Sequence, residues 1–141
     1  MNRATGDAIL EALATIPDLR HTGWASEVAA EDDLVHLSPA AWLQPGGTRQ
    51  TDEAGRGRAV KYTRTWTVVI TVAGDGRDPL ETQMAPLVEA VRQALTGLDL
   101  GRGGFHRLHY AGEPDPFYAP GYLEWPVEFD APETIGASNH V

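Results

Sequence analysis

The sequence predicts an α+β fold. We expect a two-layer sandwich, with two helices packed on one face of a mixed or antiparallel sheet of about four or five strands. Two segments carry apolar residues at helical spacing, and between them lies a long segment in which large apolar residues alternate with threonines. Since each of these segments has a single apolar face, the simplest arrangement buries the three faces against one another.

Length and composition indicate one domain, which we place at residues 1–131. The chain has 141 residues, of which 42% are hydrophobic, and this is enough for a core without disulfide or metal support. It contains no cysteine, which excludes disulfides, thiolate catalysis and cysteine-ligated zinc. No run reaches the roughly 18 apolar residues of a membrane helix. The N-terminus also lacks the apolar run of a signal peptide, so we expect a soluble intracellular protein.

The N-terminal segment predicts a helix with Thr5 as its N-cap, and Pro17 ends the segment. Its apolar residues recur at helical spacing: Ile9, Leu10, Leu13 and Ile16. After a turn near "RHTGW", the apolar run from Leu34 to Leu37 predicts a short strand ended by Pro39. Residues 44–60 show no periodicity and are rich in glycine, threonine and charge, so we predict a long loop or arm.

The next segment, residues 61–73, predicts a long strand with two different faces. One face is apolar and includes Tyr62, Trp66, Val68, Ile70 and Val72. The other is rich in threonine: Thr63, Thr65, Thr67 and Thr71. We expect the apolar face to hold both helices. The threonine face then has no cover within this chain.

A second helix follows the turn "GDGRDP". Asp78 is the expected N-cap, Pro79 suits the first helical position, and Glu81 completes a capping box. One apolar stripe runs along it: Leu80, Met84, Leu87, Val88, Val91 and Leu95. Pro86 is expected to kink this helix or to shift its start, and Gly97 to end it.

The C-terminal part predicts two strands and a tail. "FHRLHYA" is the first strand, "GEPDPFYAPG" a loop, and "YLEWPVEFDA" the second strand. In the second strand four residues point inward: Leu123, Trp125, Val127 and Phe129. Pro126 cannot donate a ladder hydrogen bond, so we expect an edge or a bulge there. Residues 132–141 are expected to form a flexible tail.

No pattern of residues indicates catalysis, so we predict that the protein is not an enzyme and holds neither cofactor nor metal. His106 and His109 lie an odd number of residues apart on a strand and point to opposite faces. Acidic residues that could act as an acid–base pair are spaced like a solvated face: Glu113, Asp115, Glu124 and Glu128. The aromatic segment 113–125 remains the one alternative, as a site for a stacked ligand.

The charge distribution indicates a surface for assembly. The formal net charge of −9 repels phosphate, so sequence-independent binding of nucleic acid is not expected. Yet five of the eleven Lys and Arg residues lie between positions 49 and 64. We predict a subunit interface formed by basic residues of this segment and by the threonine face: Arg49, Arg56, Arg58, Lys61, Thr63, Thr65, Thr67 and Thr71.

Four stretches and their order resemble the tail terminator (tail completion) proteins of tailed bacteriophages, including similar small proteins of Mu-like phages. The stretches are "DAILEALATIPDL", "RTWTVVITVAGDG", "PLVEAVRQALTGLDL" and "GYLEWPVEFDA". The resemblance covers residues 5–131 and is one of overall pattern. The segment 44–60 and Pro86 depart from it.

This resemblance implies a structural virion protein at the head-proximal end of the tail, assembled in the host cytoplasm. Members form a ring, usually a hexamer, which caps the tail tube, stops its growth and presents a surface to the head-neck connector. Its partners would be other copies of itself, tail-tube protein and connector protein, while DNA passes through the lumen without specific binding. The alternatives are another tail or neck subunit, or a small ligand-binding domain or enzyme.

Overall fold

The computed structural model describes residues 2–28, 31–54, 59–101 and 106–136, which form a six-stranded sheet with helices on both faces. The helices are α1 (Arg3–Leu13), α2 (Glu31–His36) and α3 (Leu80–Leu95). The strands are β1 (His21–Trp24), β2 (Ala40–Ala54), β3 (Ala59–Ala73), β4 (His109–Gly112), β5 (Phe117–Ala119) and β6 (Tyr122–Gly136). The α+β fold class predicted from the sequence is therefore confirmed.

The strands follow the order β1-β2-β3-β6-β4, and β5 also pairs with the outer side of β6. β1 is parallel to β2 and every other pair is antiparallel, so the sheet is mixed, as predicted. β6 is an inner strand, but Pro126 lies between the two stretches that β5 and β4 pair with. A residue without an N–H is tolerated at such a gap.

The main core lies on the face that carries α1 and α3, as the sequence predicts. The alternating apolar residues of β3 are buried there: Trp66, Val68, Ile70 and Val72. Leu123, Val127 and Phe129 of β6 pack beside them, together with the predicted stripe residues of both helices. Each such side chain contributes about 1.5–3 kcal/mol by leaving water. This burial fixes the register of β3 against β6, because a shift by one residue would expose the whole set.

The predicted N-caps of α1 and α3 are both wrong, the first by three residues and the second by one. Asn2 caps α1, its side chain accepting a hydrogen bond from the amide of Ala4, whereas Thr5 is buried inside the helix. Pro79 is the N-cap of α3, one residue after the predicted Asp78, and makes no side-chain cap.

The turn before α3 is organised by Asp75 instead, whose side chain accepts from the amides of Arg77 and Asp78. These backbone hydrogen bonds lower the pKa of the Asp75 carboxyl. The helix starts at Leu80 and continues through Pro86, so Pro86 does not delay its start. Gly97 adopts a φ of 79° directly after the C-cap, which confirms it as the stop.

The prediction of a strand at Leu34–Leu37 is wrong, because this segment lies in and just after α2. A four-residue segment with three apolar residues fits either structure, and here the spacing of Leu34 and Leu37 places both toward the sheet. α2 packs on the threonine-rich face, where Leu34 joins a second cluster with Ala40, Trp42 and Tyr122. The threonine-rich face is therefore covered at one end, contrary to the expectation that it has no cover within this chain.

The predicted loop at 44–60 is also wrong for most of its length. Residues 44–54 belong to β2, and residues 59–60 begin β3, while 55–58 lie outside the described residues. Register shifts between Pro45 and Thr48 and between Gln50 and Asp52 break the alternation that a sequence pattern would show. Residues 132–136, predicted as tail, extend β6, and the predicted loop 112–121 contains β5.

Candidate subunit interface

The three longest strands extend the sheet beyond its helical layer. β2, β3 and β6 have 15 residues each. We call their distal part, residues 48–54, 59–64 and 132–136, the sheet extension. None of its described side chains, at residues 48–50, 61–64 and 132–133, belongs to the main core, which along β3 begins at Trp66. Six residues of strand span about 20 Å, so this three-stranded ribbon reaches well past α1 and α3.

Polar contacts help to hold the sheet extension to the rest of the sheet. Arg64 donates from Nε to Glu133 Oε1 at 2.9 Å and from Nη1 to the carbonyl of Gly46 at 2.8 Å. The side chains of this ion pair are only 16% and 12% exposed. At Gly46 the strands approach so closely that a Cβ would lie 2.7 Å from the carbonyl oxygen of Thr65. The local geometry therefore requires glycine there.

On the threonine face, Asp130 joins the three central strands. Its carboxylate accepts from Arg49 of β2 at 2.9 Å and from the hydroxyl of Thr65 in β3 at 2.9 Å. Arg49 lies opposite Thr63 in the register, and its side chain stays 61% exposed. The charge on this basic residue is thus balanced within the subunit, while much of its surface faces outward.

The structure brings five of the predicted interface residues together on one face: Arg49, Lys61, Thr63, Thr65 and Thr67. Thr71 differs, because it is fully buried and accepts a hydrogen bond from Trp42 Nε1 at 3.3 Å. The prediction that Thr71 lies on an exposed face is therefore wrong. Arg56 and Arg58 lie outside the described residues.

A groove of about 320 Å³ lies between α3 and β6, near the aromatic segment 113–125. Glu113 stands at its rim and accepts from Trp125 Nε1 at 2.8 Å and from the hydroxyl of Tyr110. Arg92 lies 4.8 Å from the centre of the Tyr110 ring and pairs with Glu89 at 3.3 Å. The polar groups around this groove therefore partner one another.

These contacts also shift two ionisation equilibria. The hydrogen bond from Tyr110, with smaller contributions from Trp125 and Arg92, holds the pKa of Glu113 below its ordinary value. The same hydrogen bond raises the pKa of Tyr110. Glu113, which the sequence offered as one half of an acid–base pair, is a carboxylate that anchors neighbouring rings.

Two further surface features were not predicted from the sequence. Phe117 and Tyr118 of β5 are each 56% exposed, an unusual state for aromatic side chains at a sheet edge. At the opposite edge, a groove of about 480 Å³ is lined by residues of α1, the end of β1 and β2: Arg3, Trp24, Ala25, Ser26, Leu43, Gln44 and Pro45. These residues are scattered along the chain, so no sequence pattern reveals the groove.

The described residues contain no group of three or more His, Asp or Glu side chains placed to hold a metal ion. Among these same residues, no helix combines the length and the apolar character needed to cross a membrane.

Comparison with known proteins assigns the chain to a family. No curated protein matches it. One solved structure, 18% identical in sequence, aligns over 93% of this chain and 96% of its own with a TM-score of 0.42. A family model, "Phage tail terminator protein", matches residues 2–139, nearly the whole chain. The chain therefore belongs to the phage tail terminator protein family, a family of structural proteins of the phage tail.

Proposed function

We propose that this protein closes into a ring at the head-proximal end of the tail tube, where it stops tube growth and forms the surface that joins the head. Membership of the tail terminator family supports the general role. A ring requires head-to-tail contacts in which one surface of a subunit meets a different surface of its neighbour. The hexamer that the family resemblance implies has this kind of closure.

The observation that carries the proposal is the sheet extension. A ribbon of three strands whose described side chains do not join the main core gains little by standing free in solvent. Its outward face carries polar side chains, among them Arg49 and the threonines of β3. We expect this face to meet a neighbouring subunit or the last ring of the tail tube.

The charge of the protein suits a channel through which DNA passes. With a net charge of −9, the ring repels phosphate overall. Arg49, an exposed cation of the sheet extension, is paired with Asp130, which weakens its attraction for a nucleic acid backbone. DNA would therefore pass through the lumen without specific binding.

The solution mass tests the ring directly, by light scattering after size exclusion, with negative-stain images of the peak. We expect a discrete ring, either alone or on addition of tail-tube protein. Open-ended filaments would instead indicate a tail-tube subunit. A monomer that does not respond to tail-tube protein would contradict the proposal.

A further inference from the structure

We propose that neighbouring copies dock edge to edge: Tyr118 of β5 in one copy inserts into the groove beside Trp24 and Pro45 of the next, while Phe117, on the opposite face of β5, packs against the other side of that edge. This inference rests on the proposed ring and names the contact that closes it. We call the two surfaces the aromatic edge, formed by Phe117 and Tyr118, and the β1 groove, whose lining is given above.

The two surfaces lie on opposite sides of the same sheet. β1 is the outermost strand on one side, and β5 pairs with the outer side of β6 on the other. A contact between them is therefore head-to-tail and repeats from copy to copy, as a ring requires. A contact between two aromatic edges would instead give a closed dimer, to which no third copy could be added in the same way.

The aromatic edge has the exposure that an interface anchor needs. Phe117, Tyr118 and Val35 are the large apolar residues found exposed among the described residues. The two aromatic residues are neighbours in β5 and point to opposite faces, with Tyr118 on the face of α3, where its hydroxyl lies 3.5 Å from Glu81. Aromatic side chains that fill a partner's groove contribute more than most other residues to binding.

The β1 groove has the matching shape and surface. Trp24, Leu43 and Pro45 form apolar walls, and the volume of about 480 Å³ is large enough for aromatic side chains. Trp24 is itself fixed, since its ring packs against Trp66 with 6.2 Å between ring centres. The groove is therefore preformed, which lowers the entropic cost of docking.

The charges at the two surfaces are complementary. Arg3 is the charged residue in the lining of the β1 groove, and its side chain is 80% exposed, with Asp7 only at 4.0 Å. The aromatic edge is flanked by carboxylates, since Glu113 and Asp115 precede it and Glu81 contacts Tyr118. Docking brings these carboxylates toward Arg3, which favours this orientation over the reverse.

Complementation between two variants tests the docking. Phe117→Ser with Tyr118→Ser removes the aromatic edge but leaves the groove, whereas Ser26→Trp fills the groove but leaves the aromatic edge. All three positions are exposed, so we expect both variants to fold, as checked by circular dichroism. At the concentration where the wild type is a ring, each variant alone is expected to be a monomer. Their mixture is expected to form a dimer of about twice the 15.2 kDa chain mass.

The controls separate this inference from the ring itself. Val35→Ser removes an exposed apolar residue on α2 and should leave the ring intact. If Ser26→Trp unfolds, Arg3→Glu replaces it as the groove variant. Rings formed by either variant alone, or a mixture that stays monomeric, would overturn the docking. A wild type that stays monomeric with tail-tube protein would overturn the proposed function, and the docking with it.

Discussion

Gly6 shows how closely a single residue can be specified in this fold. A Cβ at this position would lie 2.2 Å from Cη2 of Trp24, within the ring that packs on Trp66. A larger residue there would push α1 or the Trp24 ring out of its packed position. The sequence pattern shows a glycine inside a helix, which is locally unfavourable, and only the packing explains it.

We predict that Gly6→Ala destabilises the protein. Overpacking costs about 1–3 kcal/mol, and the better helix propensity of alanine returns up to about 1 kcal/mol. The expected net loss is about 1–2 kcal/mol in urea unfolding. Gly47→Ala is the matched control, since a Cβ at Gly47 meets nothing within 4 Å. Equal stabilities of the two variants would contradict the assigned packing.

The carboxylate of Glu113 gives a pH-dependent prediction. The pKa of Glu113 is lowered in the folded state. Its contribution to the free energy of unfolding is therefore fully present above the ordinary pKa of 4.5, and it is lost as the pH falls through the pKa of the folded state. We expect Glu113→Gln to be less stable than the wild type at pH 7 by about 0.5–1 kcal/mol, because solvent screens this exposed group.

Urea unfolding at several pH values measures this prediction. The difference in the free energy of unfolding between the wild type and Glu113→Gln should become smaller as the pH falls below about 4.5. Tyr110→Phe removes the principal donor and should reproduce much of the loss at pH 7. If this difference in the free energy of unfolding stays constant down to the lowest pH at which the protein folds, the role assigned to Glu113 is refuted.

At the scale of elements, the sequence predicted the helices and strands that bury one apolar face in the main core. The alternation from Trp66 to Val72 and the apolar stripe of α3 identified the strand and the helix, because each has one face against the main core. Residues 48–54 and 132–136 of the sheet extension escaped prediction, because none of their described side chains joins the main core and bulges interrupt the period of β2. α2 has only six residues, too few for a helical period to stand out.

We predict that Arg64 fixes the sheet extension. Arg64→Ala leaves Glu133 without its partner and removes the contact to Gly46, and hydrogen bonds to charged groups contribute about 1.5–3 kcal/mol. We expect the free energy of unfolding to fall by this amount and amide hydrogen exchange at Tyr62 and Thr63 to become faster. Glu89→Gln breaks an exposed ion pair and should cost no more than about 1 kcal/mol. Unchanged exchange at both amides would exclude the role assigned to Arg64.

At the scale of the whole molecule, assembly surfaces are what the sequence reveals least. The predicted interface set was partly brought together, since Arg49, Thr63 and Thr65 meet around one face while Thr71 is buried. The β1 groove draws on α1, β1 and β2, so only the fold assembles it. One sheet thus presents an extension at its end and complementary surfaces at its two edges.

The central claim is that the protein ends a tail tube. The most direct measurement follows the length of tubes grown from purified tail-tube protein, with and without this protein carrying a gold label. We predict that growth stops once the protein is added and that label appears at one end of each tube. Tubes that keep growing, or label spread along their length, would contradict the account.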